Sequence, residues 1–566
     1  MRLLSICLLI SAFLCIIARS ADPATGSAAR PMVFELDLGQ TQQIQVTGPA
    51  GLVERSIRLL AVREFYWPNY HIPDLPQKRV FRSAEVDVVV SGTRATLHAR
   101  AFEMPQTVNG LRFYVETTRA WATAPQLHPM PEVRGAVRLS CVAMGAPWGP
   151  AELRFPIRNY RWRGNTYGNT WLALVPYNKH YYHRGEDFGA IPDRLDVLAS
   201  LGVVVTRSPL PGGDGRSNGL EIRSPSGFEL DYSHMNLESI TPHLTNGAAV
   251  SAGDRLGRTG MTWAGRKSQH NDPHLHWAVS MDGQPLASYP FVVEAYLRDY
   301  ADRLLAVAGG YHYATPGETV ELDASRSVAR PGRRIVRYQW RLHDGRQVAG
   351  PRASVKAGQP GLFSEELRLL ADDGSEDRDY AQLRVWNTNS GARFAAGWFY
   401  HWPVRGARPG TPILFWNRLS GITGPTEINF GDGSQPVRID QEASHIYRKA
   451  GLYTAALRSR GPAEEPVEVR MRVVIEPSVA EAAASAAVRA DDFLSRIGGS
   501  SAVYRRGENL SNTVNPAGYL GLRWFRAGGG NGIPVADLIE LPKQMPRSVL
   551  AFRSKCSEQS TPADSR

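Results

Sequence analysis

Pro273-His274-Leu275-His276-Trp277-Ala278-Val279 alternates polar and apolar side chains within a run of strand formers. Side chains of an extended strand leave on opposite faces in turn, so His274 and His276 share one face while Leu275 and Trp277 face a core. Upstream, the apolar strand run Phe228-Glu229-Leu230 leads into Asp231-Tyr232-Ser233-His234-Met235, which sets a third imidazole at a strand end. Further upstream, His183-Arg184-Gly185-Glu186-Asp187-Phe188 holds an imidazole and a carboxylate four residues apart with a glycine between them. On one extended strand His183 and Asp187 would lie on the same face and Glu186 on the other.

These residue types suit a metal. A hydrolytic zinc takes three nitrogen or oxygen ligands from the protein and keeps one position open. His183, Asp187 and one histidine of the 274/276 pair supply that count. Such a metal polarises a scissile carbonyl and lowers the pKa of its bound water toward neutrality. The two imidazoles left over suit proton relay and hydrogen bonding to a developing oxyanion, because the group titrates near neutral pH. A His-x-His pair alone arises often on exposed strands. The order of three blocks singles this set out.

The blocks closely resemble those of the lysostaphin-type (LytM-type) zinc endopeptidases of bacterial cell-wall metabolism: His-x-Gly-x-Asp, then Tyr-x-His-Leu, then Gly-Pro-His-Leu-His-Phe. The stretch Val250-Ser251-Ala252-Gly253-Asp254-Arg255-Leu256-Gly257-Arg258-Thr259-Gly260 is similar to the one that precedes the family's last block. The resemblance, which runs from Tyr182 to Val279, implies zinc as cofactor, His183, Asp187 and His276 as its ligands, and His234 and His274 as the catalytic pair. It also implies a peptide substrate, peptidoglycan above all. The chain departs from the pattern in a longer loop from Gly260 to Pro273 with Asp272 in place of glycine, in the insertion Pro192-Asp193-Arg194-Leu195-Asp196, and in Trp277 for Phe. Arg184 and Trp263 lie near the motifs as candidates for substrate contact. His180, His243 and His270 read as solvated loop histidines.

The rest of the chain organises around this unit. Met1-Arg2, an uncharged run from Leu3 to Ile17 and Ala18-Arg19-Ser20 read as an export signal over residues 1–20. No later segment approaches the roughly 20 apolar residues of a membrane span. Alternating runs such as Val33–Leu38, Ala84–Val90 and Leu111–Val115 predict an N-terminal β-sandwich over 21–158, in which Phe65–His71 reads as a core strand and its exit turn. The motif-bearing β unit spans 159–297 and closes with an amphipathic helix expected from Phe291 to Leu305. Two stretches, 305–390 and 407–476, repeat a Tyr/Trp strand followed by an Asp-Gly turn, as in Tyr338–Gly345 and Ile428–Ser434. They resemble PKD repeats, a likeness that implies Ig-like spacer or adhesive sandwiches. Residues 477–566 read as an extension, helical over Val479–Ile497 and then Gly-rich, with a disordered tail.

The expected protein is thus mainly β and multidomain. Its net charge of +11, about +9 without Arg2 and Arg19, favours anionic partners such as a cell-wall surface. No helix-turn-helix, zinc finger or aromatic RNA-binding signature accompanies the charge, so nucleic acid is not expected. Cys7 and Cys15 fall in the signal, which leaves Cys141 and Cys556 without metal-ligand spacing. The expected place is outside the cytoplasm: periplasm, cell envelope or exterior. The rival readings are a non-catalytic wall-binding scaffold or amidase activator, and a surface protease acting on protein.

Overall fold

The computed structural model describes residues 30–67, 80–128, 130–164, 166–175, 180–268, 272–300, 302, 304–386 and 395–478, with 498–501, 524–527, 540, 543 and 549–552 beyond them. The expected export signal over residues 1–20, residues 68–71, His270, the Ala-rich stretch 479–497, the Gly-rich stretch 528–532 and Cys556 lie outside the described residues. Residues 1–476 form one compact unit and 477–566 a second. Among its described residues the second unit holds a parallel sheet of Gly498–Ser501, Trp524–Ala527 and Val549–Phe552.

The first unit is mainly β and built of several sheets. It opens with β1 (Met32–Leu36), β2 (Thr41–Gly48), β3 (Gly51–Tyr66), β4 (Phe81–Val90), β5 (Thr93–Ala99), β6 (Gln106–Val108), β7 (Leu111–Thr118), the single turn α1 (Arg119–Ala122) and β8 (Val137–Ala143). The strands form two four-stranded antiparallel sheets, β1-β8-β7-β6 and β2-β3-β4-β5. The period-two pattern of β4, with Ala84, Val86, Val88 and Val90 buried, gives this half of the core its inward face.

The motif-bearing sheet follows. The pair β9 (Leu174–Val175) and β10 (Tyr181–Tyr182) leads into β11 (Glu186–Gly189), β12 (Asp196–Leu198), β13 (Val203–Arg207), β14 (Gly219–Arg223), β15 (Phe228–Ser233), β16 (Ala249–Val250) and β17 (Arg255–Arg258). Then come the hairpin β18 (Thr262–Trp263) and β19 (Arg266–Lys267), β20 (His274–Met281) and β21 (Gln284–Leu286). The main sheet runs β11-β20-β15-β14-β13-β16, with β21 on β20. Leu275 and Trp277 are fully buried, as their alternation in β20 predicts.

The expected helix is α2 (Tyr289–Asp299), helped to start by Pro290 near its N-terminus. It ends six residues earlier than predicted because Tyr300 is already extended, and Leu304–Leu305 is strand. It is not amphipathic in place. Most of its residues, Phe291 and Tyr296 among them, are buried.

Past residue 304 there are two cores, one around Trp340 and Leu367, the other around Phe430, Tyr447 and Leu457. They are joined by one sheet, in which Gly361–Ala371 pairs antiparallel with Glu376–Val385 and meets Pro466–Ile475 in parallel at Leu362 and Val467. Phe399–Trp402 pairs with Pro412–Asn417, so the sheet chemistry of the last module begins ahead of residue 407. Among the described residues no helix is long and apolar enough to cross a membrane.

Candidate metal centre

The centre forms where β11 and β15 flank β20. Register sets Asp187 opposite His276 and Gly189 opposite His274, while Ser233 on the other side also faces His276. His234 follows immediately at φ 71°, a left-handed backbone that side chains rarely adopt. That kink ends β15 and turns the ring toward His274, with ring centroids 4.5 Å apart.

His183 arrives differently from the sequence expectation. It does not share an extended strand with Asp187, because the chain bends at Gly185, whose φ is +144°. A Cβ there would lie 2.7 Å from His276 Cε1 and 2.8 Å from the Trp277 carbonyl oxygen. The glycine of this motif is therefore fixed by close approach to β20. Glu186, pointing away, accepts from the Thr170 and Ser288 hydroxyls at 2.8 Å.

Three donor atoms converge. His183 Nε2 lies 3.1 Å from Asp187 Oδ1 and 3.1 Å from His276 Nδ1. The latter two are 2.9 Å apart. Ligands about 2.0–2.1 Å from a tetrahedral zinc stand roughly 3.3 Å from one another, close to this triangle. His183 Nδ1 is 2.9 Å from the Gly185 carbonyl oxygen and donates to it, which leaves Nε2 with its lone pair directed at a carboxylate. Converging lone pairs need a proton or a cation between them, so the donor set fits a metal held by His183, Asp187 and His276.

The other two histidines are set by backbone carbonyls. His234 Nδ1 donates to Thr262 O at 2.7 Å, and His274 Nδ1 to Asp272 O at 2.5 Å. Both Nε2 atoms stay free of those bonds, and that of His274 lies 3.5 Å from Asp187 Oδ1. Burial pushes the pKa of His234 well down, with the neighbouring histidines adding to it. Burial lowers His274 too, against the pull of Asp187. Asp187 is buried, which raises its pKa, yet the charges and hydrogen bonds of the histidines hold it well below the carboxylate range. His276 loses by burial and gains more from Asp187, so its pKa is raised.

Two features here escaped the sequence reading. Asn169 Nδ2 donates to Asp187 Oδ2 at 2.8 Å and to the Tyr167 hydroxyl at 3.0 Å. The Tyr167 ring packs on His274 with centroids 4.8 Å apart. Both residues belong to an irregular segment without periodicity. On the far side the longer loop folds as the β18–β19 hairpin, turned by Ala264 and Gly265 at positive φ. It stacks Trp263 on His234, at 5.4 Å and 10° between planes, with Trp263 half exposed. His183, Asp187 and His274 are only 3% exposed, while the His276 side chain is partly open to solvent. His243 is exposed, as expected of a solvated loop residue, whereas His180 is buried against Tyr182.

No family model matches the chain. Among solved structures it is similar to one titled "putative glycyl-glycine endopeptidase lytM", from Ruminococcus gnavus, at 25% identity over 21% of this chain and a TM-score of 0.17. The chain spans 47% of that protein's length. The fibronectin(III)-like modules of Clostridium thermocellum CbhA align at 10% identity with 31% of this chain and 94% of theirs, TM-score 0.13. The secreted serine protease VesC of Vibrio cholerae aligns at 9% identity with 79% of this chain and 95% of its own, TM-score 0.16.

Proposed function

We propose that the protein is an exported zinc endopeptidase that hydrolyses peptide bonds, with the peptide cross-bridges of peptidoglycan as its substrate. The observation that carries this reading is the triangle of His183 Nε2, Asp187 Oδ1 and His276 Nδ1, with two further imidazoles beside it. The resemblance of the three motif blocks to LytM-type peptidases supports the same assignment. Zinc at this donor set would supply Lewis acidity toward a peptide carbonyl and toward water.

The chain's own residues do the rest. Thr262 O and Asp272 O orient the rings of His234 and His274 through their Nδ1–H groups, leaving each Nε2 to take up or deliver a proton near the donor triangle. One of the pair accepts a proton from water, and the other hydrogen-bonds the oxygen that gains charge during attack. Gly185 keeps backbone and ring close enough for His183 to reach the triangle. Trp263 and Tyr167 wall the imidazole pair on either side and exclude bulk water.

The test compares mature wild type with His276→Ala and His234→Ala for bound zinc and for peptides released from purified sacculi. Release by wild type, zinc lost in His276→Ala, and zinc kept in an inactive His234→Ala would bear the reading out. A wild type that binds zinc stoichiometrically yet releases nothing from sacculi or from a panel of proteins would leave a wall-binding scaffold as the better reading.

A further inference from the structure

Beside the metal centre runs a groove of about 790 Å³, between β1 with the segment leading into β8 on one wall and the β20–β21 hairpin on the other. Three arginines line it: exposed Arg134, and the two that carry the argument, Arg184, next to His183, and Arg138 on β8. Arg138 is only 6% exposed. Neither side chain has a hydrogen bond or an ion pair with any of the described residues. Buried Glu116 acts on Arg138 through its charge without a hydrogen bond, its carboxylate accepting instead from the Ser140 hydroxyl and the Ala287 N–H, and the acids of the groove itself are engaged or exposed. Glu35 accepts the backbone N–H groups of Arg134 and Gly135, at 2.8 Å each. Asp282 is paired with Arg30, and Glu132 is exposed.

A buried guanidinium whose N–H groups have no acceptor is costly, so the donors of Arg138 and Arg184 suit an anion arriving in the groove. The planar fork of arginine matches a carboxylate with two parallel hydrogen bonds. Met281, which lines the groove, is five residues along β20 from His276, about 17 Å at ~3.4 Å per residue. That is the reach of an extended peptide of about five residues.

We propose that this groove is the recognition arm for an acidic peptide, in which Arg184 and Arg138 bind free carboxylates on the segment flanking the bond to be cut. The proposal rests on the peptidase reading, and it narrows the substrate to peptides that carry an uncapped α- or side-chain carboxylate within a few residues of the scissile bond.

The test is calorimetric titration of the zinc-loaded full chain bearing His234→Ala, to prevent turnover, with the free acid Ala-Glu-Lys-Ala-Ala and with its amide counterpart Ala-Gln-Lys-Ala-Ala-NH2. The acid should bind at least ten-fold tighter. Arg184→Gln and Arg138→Gln, added singly, should each remove most of that preference with zinc content unchanged, and Arg138→Lys should restore part of it. Should Arg138→Gln fail to fold, the partly exposed Arg184→Gln decides. Equal binding of acid and amide, no binding of either by folded protein, or a preference intact in the arginine variants would overturn the proposal. Acid-selective binding in a protein that hydrolyses no peptide would sink the peptidase reading alone, while hydrolysis without acid preference would sink the groove alone.

Discussion

Asn169 and His276 divide the two oxygens of Asp187 between them: His276 Nδ1 takes Oδ1 at 2.9 Å, and Asn169 Nδ2 donates to Oδ2 at 2.8 Å. The carboxylate is therefore held from behind, in the orientation that presents one oxygen to the donor triangle. Groups that orient a ligand in this way commonly contribute 10–100-fold to metal affinity. Asn169→Ala should lower zinc affinity by about that factor, measured by competition with a chromophoric chelator. Unchanged affinity in a folded variant would remove Asn169 from the centre.

Gly185→Ala tests the close approach of the motif loop to β20. The new Cβ meets His276 Cε1 and the Trp277 carbonyl, and φ of +144° is itself unfavourable for a side chain. Strain of this kind costs about 1–3 kcal/mol, and relief by displacing His276 would break the triangle. The variant should lose stability in denaturant and at least part of its zinc. Full zinc occupancy with native stability would show that the loop yields freely.

His401 gives the fold an acid-sensitive element. Burial, reinforced by the charges of Arg472 and Arg161, lowers its pKa to about 3, and the ring contacts Met471 Sδ at 3.4 Å. A histidine whose folded value lies below its unfolded value near 6.5 leaves the unfolded state binding more protons in between. Its contribution is complete above pH 6.5 and is lost as pH falls toward 3, at about 1.4 kcal/mol per unit. Melting temperature followed from pH 7 to 4 should fall steeply in wild type and less steeply in His401→Phe. Parallel profiles would rule His401 out as the cause.

Arg472 clamps the chain entering the metal sheet. It is buried, pairs with buried Asp377, and donates to the carbonyls of Trp162 and Arg163 at 2.8 and 2.9 Å. Arg472→Met removes one partner of a buried pair, a change that typically costs about 3–5 kcal/mol. A drop of that size in the unfolding free energy of the first unit is expected. A loss under about 1 kcal/mol would place the clamp among exposed pairs in its effect.

What was legible in the sequence follows the range of the interactions. Alternation in β20 told which histidines share a face, because period two is local to the strand. The His183–Asp187 pair was found by motif, while its geometry was not, since a bend at Gly185 replaces the continuous strand that spacing suggested. Asn169 and Tyr167 left no signal, as they reach the centre from an aperiodic segment. The helix end at Asp299 was missed because burial on nearly all sides erases the amphipathic pattern that marks a boundary. Arg138 looked like one more scattered basic residue, and only its burial without a hydrogen-bond acceptor distinguishes it.

The clamp at Arg472 has a practical corollary for anyone trimming the gene. Residues 159–297 look like a self-sufficient cassette by motif, yet the backbone at Trp162 and Arg163 is satisfied by a side chain more than 300 positions downstream. Cutting after residue 297 would strip those carbonyls of their donor and truncate α2, which runs to Asp299. The shortest piece expected to keep this fold intact therefore runs on to residue 476, where the first compact unit ends.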